Sequence, residues 1–111
     1  MRLSSDVVIP DEKLTKYLLV HRLWDDKSKF LGLAGFTKDN PTELKKALVV
    51  LARDCEAIYD GDSEYGEFFR TEGVLMGPNG RALKVTAVWL RWKADGQVRF
   101  VTLKPRRENI K

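Results

Sequence analysis

Cysteine and histidine are each present only once, as Cys55 and His21. A single cysteine excludes an intrachain disulfide, and the two residues together cannot furnish a Cys/His zinc site. Long apolar runs are missing too: no segment approaches the ~20 consecutive apolar residues of a membrane-spanning helix. The opening MRLSSDVVIPDEK has no apolar stretch and no small-residue cleavage site, so it does not read as a secretory signal. A cytoplasmic location is therefore expected, with no membrane partner. HExxH, CxxC, GxSxG, GxGxxG and the Walker loop are all absent, which removes the chemistries those motifs serve. The glycines of Gly77-Pro78-Asn79-Gly80 fall between two strand-like segments, where they need only make a turn. A phosphate cradle would need a helix to follow. No metal or cofactor is expected.

What remains suits one compact domain spanning residues 1–111, with 43% hydrophobic residues for a core and 32% charged residues for solubility. The net charge of +4 conceals an asymmetry. Residues 81–111 hold nine basic side chains against the acidic Asp95 and Glu108, a net +7. Between residues 56 and 72, Glu56, Asp60, Asp62, Glu64, Glu67 and Glu72 face only Arg70. Such polarity points to an anionic partner for the C-terminal part, nucleic acid being the commonest, or to two halves that neutralise each other across one sheet.

The first half reads as helical. Pro10, Asp11 and Glu12 suit a first turn, and Leu14, Tyr17, Leu18 and His21 then share a face. A short helix is expected from Lys27 to Ala34, stopped by Gly35. Asn40-Pro41-Thr42-Glu43 has the form of a capping box, and Leu44, Ala47, Leu48, Leu51 and Cys55 continue from it at helical spacing. After Cys55 the chain turns to β-branched and aromatic runs, separated by Asp60-Gly61-Asp62, Gly77-Pro78-Asn79-Gly80 and Ala94-Asp95-Gly96. The expected fold is α+β, with two to three N-terminal helices packed on one face of a C-terminal four-stranded antiparallel sheet. The helical part covers about residues 10–55 and the sheet about 56–105, leaving a basic tail at 106–111. The last hairpin has two possible registers. A two-residue Asp95-Gly96 loop sets Thr102 opposite Trp89, near Arg91. A three-residue loop with Gly96 left-handed sets Thr102 opposite Val88 and Thr86 opposite Lys104.

Candidate chemistry is spread along the chain. His21 has a pKa suited to acid–base work, or it caps and packs a helix end. Lys27 and Lys29 stand near a helix start, where cations oppose the helix dipole and suit a phosphate contact, unless Asp25 and Asp26 neutralise them. Trp24, Trp89 and Trp92 could stack on bases, although Trp89 and Trp92 point to opposite faces of a strand. Arg70 and Glu72 share a face, as a site or as a structural ion pair. In VRFVTLKPRR, residues 98–107, Thr102 and Lys104 share a face in either register, followed by Arg106 and Arg107.

KSKFLGLAGF, PTELKKALVVLA, YGEFFRTEGVLMGPNGRALKVTAVW and VRFVTLKP, taken in order, resemble an uncharacterised bacterial domain family. That family reads as a basic HKAxF stretch, LGF, an amphipathic helix, YG, a GPxG turn, a strand ending in Trp and a closing LVTxYP. Its layout is similar to the barnase, EndoU, colicin and RelE-like ribonuclease toxins. The resemblance implies an endoribonuclease that needs no metal, in which a ribose 2′-hydroxyl attacks the adjacent phosphate. It also implies RNA, including ribosome-bound mRNA, and a cognate antitoxin as partners. By position, Lys27 and Lys29 match the family's basic stretch, and Thr102 and Pro105 its closing strand. On this reading Lys27, Lys29, Arg70, Arg91, Lys104 and Arg106 are expected to bind nucleic acid, and Lys29, Thr102 and His21 to be catalytic. Two positions depart from the pattern: the family's histidine is Asp26 here, and its last tyrosine is Lys104. The alternative is a non-catalytic RNA- or protein-binding module, such as an antitoxin-like or phage-encoded inhibitor that uses the acidic segment.

Overall fold

The computed structural model describes residues 3, 6–10, 27–37 and 39–105, with the backbone alone described at 27–29. The helix expected over residues 10–21, with His21, and the tail with Arg106 lie outside the described residues. Among the described residues, two helices and four strands follow in order: α1 (Lys27–Gly32), α2 (Pro41–Asp54), β1 (Ala57–Ser63), β2 (Gly66–Met76), β3 (Ala82–Trp92) and β4 (Val98–Pro105). The strands form one antiparallel sheet in the order β1-β2-β3-β4. This is the α+β arrangement that the sequence predicts.

Helix α1 ends as its glycine suggests. Gly35 adopts a positive φ of 92°. The Gly35 N–H donates to the Gly32 carbonyl and the Phe36 N–H to the Leu31 carbonyl, closing a Schellman stop over the buried Leu31 and Phe36. Pro41 starts α2 where its missing N–H costs nothing. The capping box, however, does not form. The Asn40 side chain makes no bond to the helix and turns back into the preceding loop. Its Oδ1 accepts from the Thr37 N–H at 2.8 Å, and its Nδ2 donates to the Gly35 carbonyl at 3.1 Å. Asn40 therefore links the end of α1 to the start of α2. Asn40→Ala is expected to cost about 1 kcal/mol, as for other lost polar links of this kind, read as a shift in the urea midpoint.

Leu44, Leu48 and Leu51 of α2 are buried at i, i+4, i+7, each contributing about 1.5–3 kcal/mol by leaving water. They meet Phe69, Leu75, Val85, Ala87, Trp89, Phe100 and Leu103 from the covered face of the sheet in one core. Gly73 lets the helix approach, because a Cβ there would lie 2.6 Å from the Cys55 Sγ and 2.7 Å from the Leu51 Cδ1. The turn at residues 77–80 docks under α1, with the Asn79 Nδ2 donating to the Leu33 carbonyl at 3.1 Å.

Three local features differ from the sequence reading. Asp60-Gly61-Asp62 is not a turn but an irregularity inside β1, where pairing slips between Tyr59 and Asp62. Gly61 takes a φ of 111° there, and the chain reverses later, at Glu64-Tyr65. The last hairpin follows neither expected register at its turn, where Trp92 meets Gln97 around a four-residue loop; only beyond a bulge does it take up the three-residue-loop pairing. Gly96 is left-handed at φ 70°, Trp89 pairs with Phe100, and an extra residue, Val101, then brings Thr102 opposite Val88 and Lys104 opposite Thr86. Finally, residues near the N-terminus join the sheet. Val8 bridges Arg99 in parallel, donating to the Val98 carbonyl and accepting from the Phe100 N–H, both at 2.8 Å. Among the described residues no helix is long and apolar enough to cross a membrane.

Candidate functional site

Strand alternation divides the sheet into two unlike faces. Phe69, Thr71, Val85, Ala87 and Trp89 are buried beneath the helices. Their strand neighbours Phe68, Arg70, Glu72, Thr86, Val88 and Leu90 point the other way, onto a face that no described helix covers. Pairing sets Ile58, Arg70, Val88 and Thr102 in one row across that face, and Glu72, Thr86 and Lys104 in the next. At about 5 Å per cross-strand step, the Arg70 and Thr102 backbones are about 10 Å apart, within reach of a long side chain and one phosphate.

The charge on this open face is partly spent. Arg70 donates through Nη1 to the Asp60 Oδ1 at 2.9 Å and through Nε to the Glu72 Oε2 at 3.3 Å. It thus joins three side chains as the structural ion pair that its spacing to Glu72 allowed. Lys104 is exposed and makes no ion pair among the described residues. Thr102 is half-buried, and its hydroxyl reaches only the Leu103 carbonyl, at 3.5 Å.

Arg91 lies elsewhere. It pairs with Glu67 across β2 and β3, donating through Nε at 3.0 Å and also through Nη2 to the same carboxylate oxygen. Its guanidinium stands 5.3 Å from the centre of the Phe69 ring, on the covered side of the sheet. Here it lines a cleft of about 470 Å³ with Asp62, Ser63, Glu67, Trp92 and Lys93. Because one residue of β3 separates faces, Arg91 and Thr102 cannot share a phosphate across the sheet surface. Lys27 and Lys29 belong to α1, whose Leu31 is in the covered core, so their backbone lies in the layer opposite Thr102. The structure therefore brings together Arg70, Thr102 and Lys104, and sets Arg91, Lys27 and Lys29 apart from them. His21 and Arg106 lie outside the described residues.

The sequence offers Asp62 and Glu67 only as members of an acidic run and gives no sign of the cleft they form with Lys93. Only the register places Glu67 against Arg91, 24 positions away. Beside the cleft, a hydrogen bond to Asp62 keeps the Tyr59 phenol protonated above the usual tyrosine range, with burial as a lesser cause.

Residues 3–107 match the model of a domain of unknown function, DUF6883. The chain belongs to the DUF6883 family. No curated protein matches it. Among solved structures, one chain of a "Contact-dependent growth inhibition toxin - immunity protein complex from Klebsiella pneumoniae 342" has the same fold, with a TM-score of 0.66 at 23% identity. That likeness covers 94% of this DUF6883 chain and 97% of the other, so the whole architecture is shared.

Proposed function

We propose that this DUF6883 domain is the RNA-cleaving member of a toxin-and-antitoxin type protein pair, acting in the cytoplasm on RNA laid across the open sheet face. The observation that carries this reading is the row containing Arg70 and Thr102 with Lys104 beside it, on the face that no described helix covers. The fold shared with a chain of a toxin–immunity complex supports the pairing. A ribose 2′-hydroxyl gives up its proton and attacks the adjacent phosphorus, the bond to the 5′-oxygen breaks, and that oxygen takes a proton. A 2′,3′-cyclic phosphate and a 5′-hydroxyl result. Arg70 and Lys104 stabilise the extra negative charge on the phosphate, and Thr102 orients a phosphate oxygen or the hydroxyl. His21 handles the proton and Arg106 contacts a flanking phosphate, while Lys27, Lys29 and Arg91, set on the other side of the sheet, take no part at this phosphate.

Purified protein incubated with total RNA in EDTA, or with ribosome-bound mRNA in the magnesium buffer that keeps ribosomes whole, is expected to yield cyclic-phosphate ends. The double variant Thr102→Ala/Lys104→Ala should act about 100-fold more slowly, the usual loss when a group that stabilises transition-state charge is removed. Intact RNA at stoichiometric protein, together with unimpaired growth on expression, would sink the proposal. One observation favours a second reading, a non-catalytic RNA- or protein-binding module: Arg70 is already held by two carboxylates, which a phosphate would have to displace. That reading predicts salt-sensitive association with RNA and no cleavage products.

A further inference from the structure

The β1–β2 hairpin forms the sheet edge farthest from the basic β4, and its surface is of a different kind. Ile58, Tyr59 and Tyr65 are 38%, 53% and 55% exposed. They stand among Asp60, Asp62 and Glu64, which are all exposed as well. Neither tyrosine floats free. The Tyr59 ring meets Phe69 edge-on at 6.1 Å, and Tyr65 leans on Trp92 at 5.7 Å. Rings fixed in this way offer large contact area with little entropy left to lose, which is why tyrosine is enriched among the residues that dominate protein interfaces.

Two features say how this edge is used. The slip at Asp60–Gly61 interrupts the ladder, and the edge is lined with charge, both of which discourage another strand from pairing. A partner must therefore engage side chains rather than extend the sheet. Charge then selects the partner. Arg70 holds Asp60 and Glu72, and Arg91 holds Glu67. Among the described residues neither Glu64 nor Asp62 makes an ion pair, and the Asp62 carboxylate holds the Tyr59 hydroxyl. The uncompensated carboxylates thus sit beside the exposed rings. RNA is repelled there. A second copy, itself net +4, could meet this edge only with its own basic half. Such head-to-tail contacts do not close into a symmetric dimer.

We propose that the β1–β2 edge docks a partner protein through a basic patch, with Tyr59 and Tyr65 as anchors and Asp62 and Glu64 selecting positive charge. This rests on the pairing half of the proposed function and not on RNA cleavage. The test places the photocrosslinker p-benzoyl-phenylalanine at Tyr65 of the full chain, and in a separate strain at Thr102, in the native host. Tyr65 is expected to crosslink to one protein, identified by mass spectrometry, and Thr102 is not. That protein, once purified, should bind the unmodified chain in a salt-sensitive manner. Affinity should fall at least tenfold for Tyr59→Ala and for the exposed pair Asp62→Lys/Glu64→Lys, and reversing a basic residue of the partner should restore it. Crosslinking to a second copy, to RNA or to nothing, crosslinking from Thr102 instead, or binding that survives charge reversal would each overturn the proposal. The Asp62→Lys/Glu64→Lys variant should still cleave RNA as the unmodified chain does, so failure of docking and failure of catalysis are read separately.

Discussion

Trp89→Ala is expected to lower the unfolding free energy by about 4 kcal/mol, within the range of about 3–5 kcal/mol for burying no aromatic where one was packed. Trp89 is fully buried at the centre of the sheet. Its ring meets Phe100 edge-on at 5.4 Å, so truncation opens a cavity between two strands and α2. A polar cost adds to the apolar one. The indole Nε1 donates to the hydroxyl of Thr71 at 3.0 Å, and Thr71 is itself fully buried. Removing the indole leaves that hydroxyl without its donor. Thr71→Val makes the converse change, stranding the N–H in a filled core, and should cost about 1–3 kcal/mol. For a domain whose whole stability is about 5–15 kcal/mol, the first variant approaches unfolding and the second does not. Urea denaturation followed by circular dichroism would show both shifts, and a Trp89→Ala midpoint indistinguishable from that of the unmodified chain would refute the account. The open face should respond as well, because Val88 lies between Arg70 and Thr102 and is held in place by its buried neighbour.

The same buried stripe explains why the fold was legible in the sequence. The Asn40-Pro41 start and the spacing of Leu44, Leu48 and Leu51 mark α2 without help from any distant residue. The β-branched and aromatic runs mark β2, β3 and β4. Local signals failed where one signal serves two structures. Asp60-Gly61-Asp62 announces a left-handed residue, and Gly61 supplies one, but a bulge needs that residue as much as a turn does. The reversal falls instead at Glu64-Tyr65, next to Gly66, where any Cβ would run into the carbonyl of Arg91 on β3. That requirement is tertiary and leaves no trace near residue 60.

The candidate site was less legible for a related reason. Thr102 and Lys104 share a face whatever the register, and period-two alternation alone establishes it. Which arginine joins them depends on pairing across two hairpins. Arg70 reaches the row because β2, β3 and β4 align Arg70, Val88 and Thr102. Arg91 is lost to the other face, and the extra Val101 that fixes this alignment is an ordinary strand residue with no turn signature. Charge pattern was informative about the C-terminal half only before pairing was known. Once Asp60, Glu67, Glu72 and Asp95 are seen to hold Arg70, Arg91 and Arg99, less free cation remains than the sequence suggested.

Gly77→Ala should be nearly as damaging as the loss of Trp89, at about 3 kcal/mol, the upper end of the usual cost of forcing added volume into a packed site. A Cβ at Gly77 would strike the backbone carbonyl and the side chain of Ala34, where the chain leaves α1 and crosses the β2–β3 turn. Neither is the far end of a flexible side chain, so α1 or the turn must move as a whole. Gly80, three residues on, separates space from conformation. It has a positive φ of 87° with nothing within 4 Å of an added Cβ. Gly80→Ala therefore meets no atom and carries only the cost of a left-handed alanine, about 1–2 kcal/mol. If both variants lose the same stability, the turn is limited by its backbone angles alone. If Gly77→Ala loses clearly more, the close contact with Ala34 is what fixes α1, and with it Lys27 and Lys29, against the end of the sheet. In that case Gly77→Ala should also change any RNA contact made through those lysines while leaving contacts at Thr102 and Lys104 in place, because these lie on the opposite face.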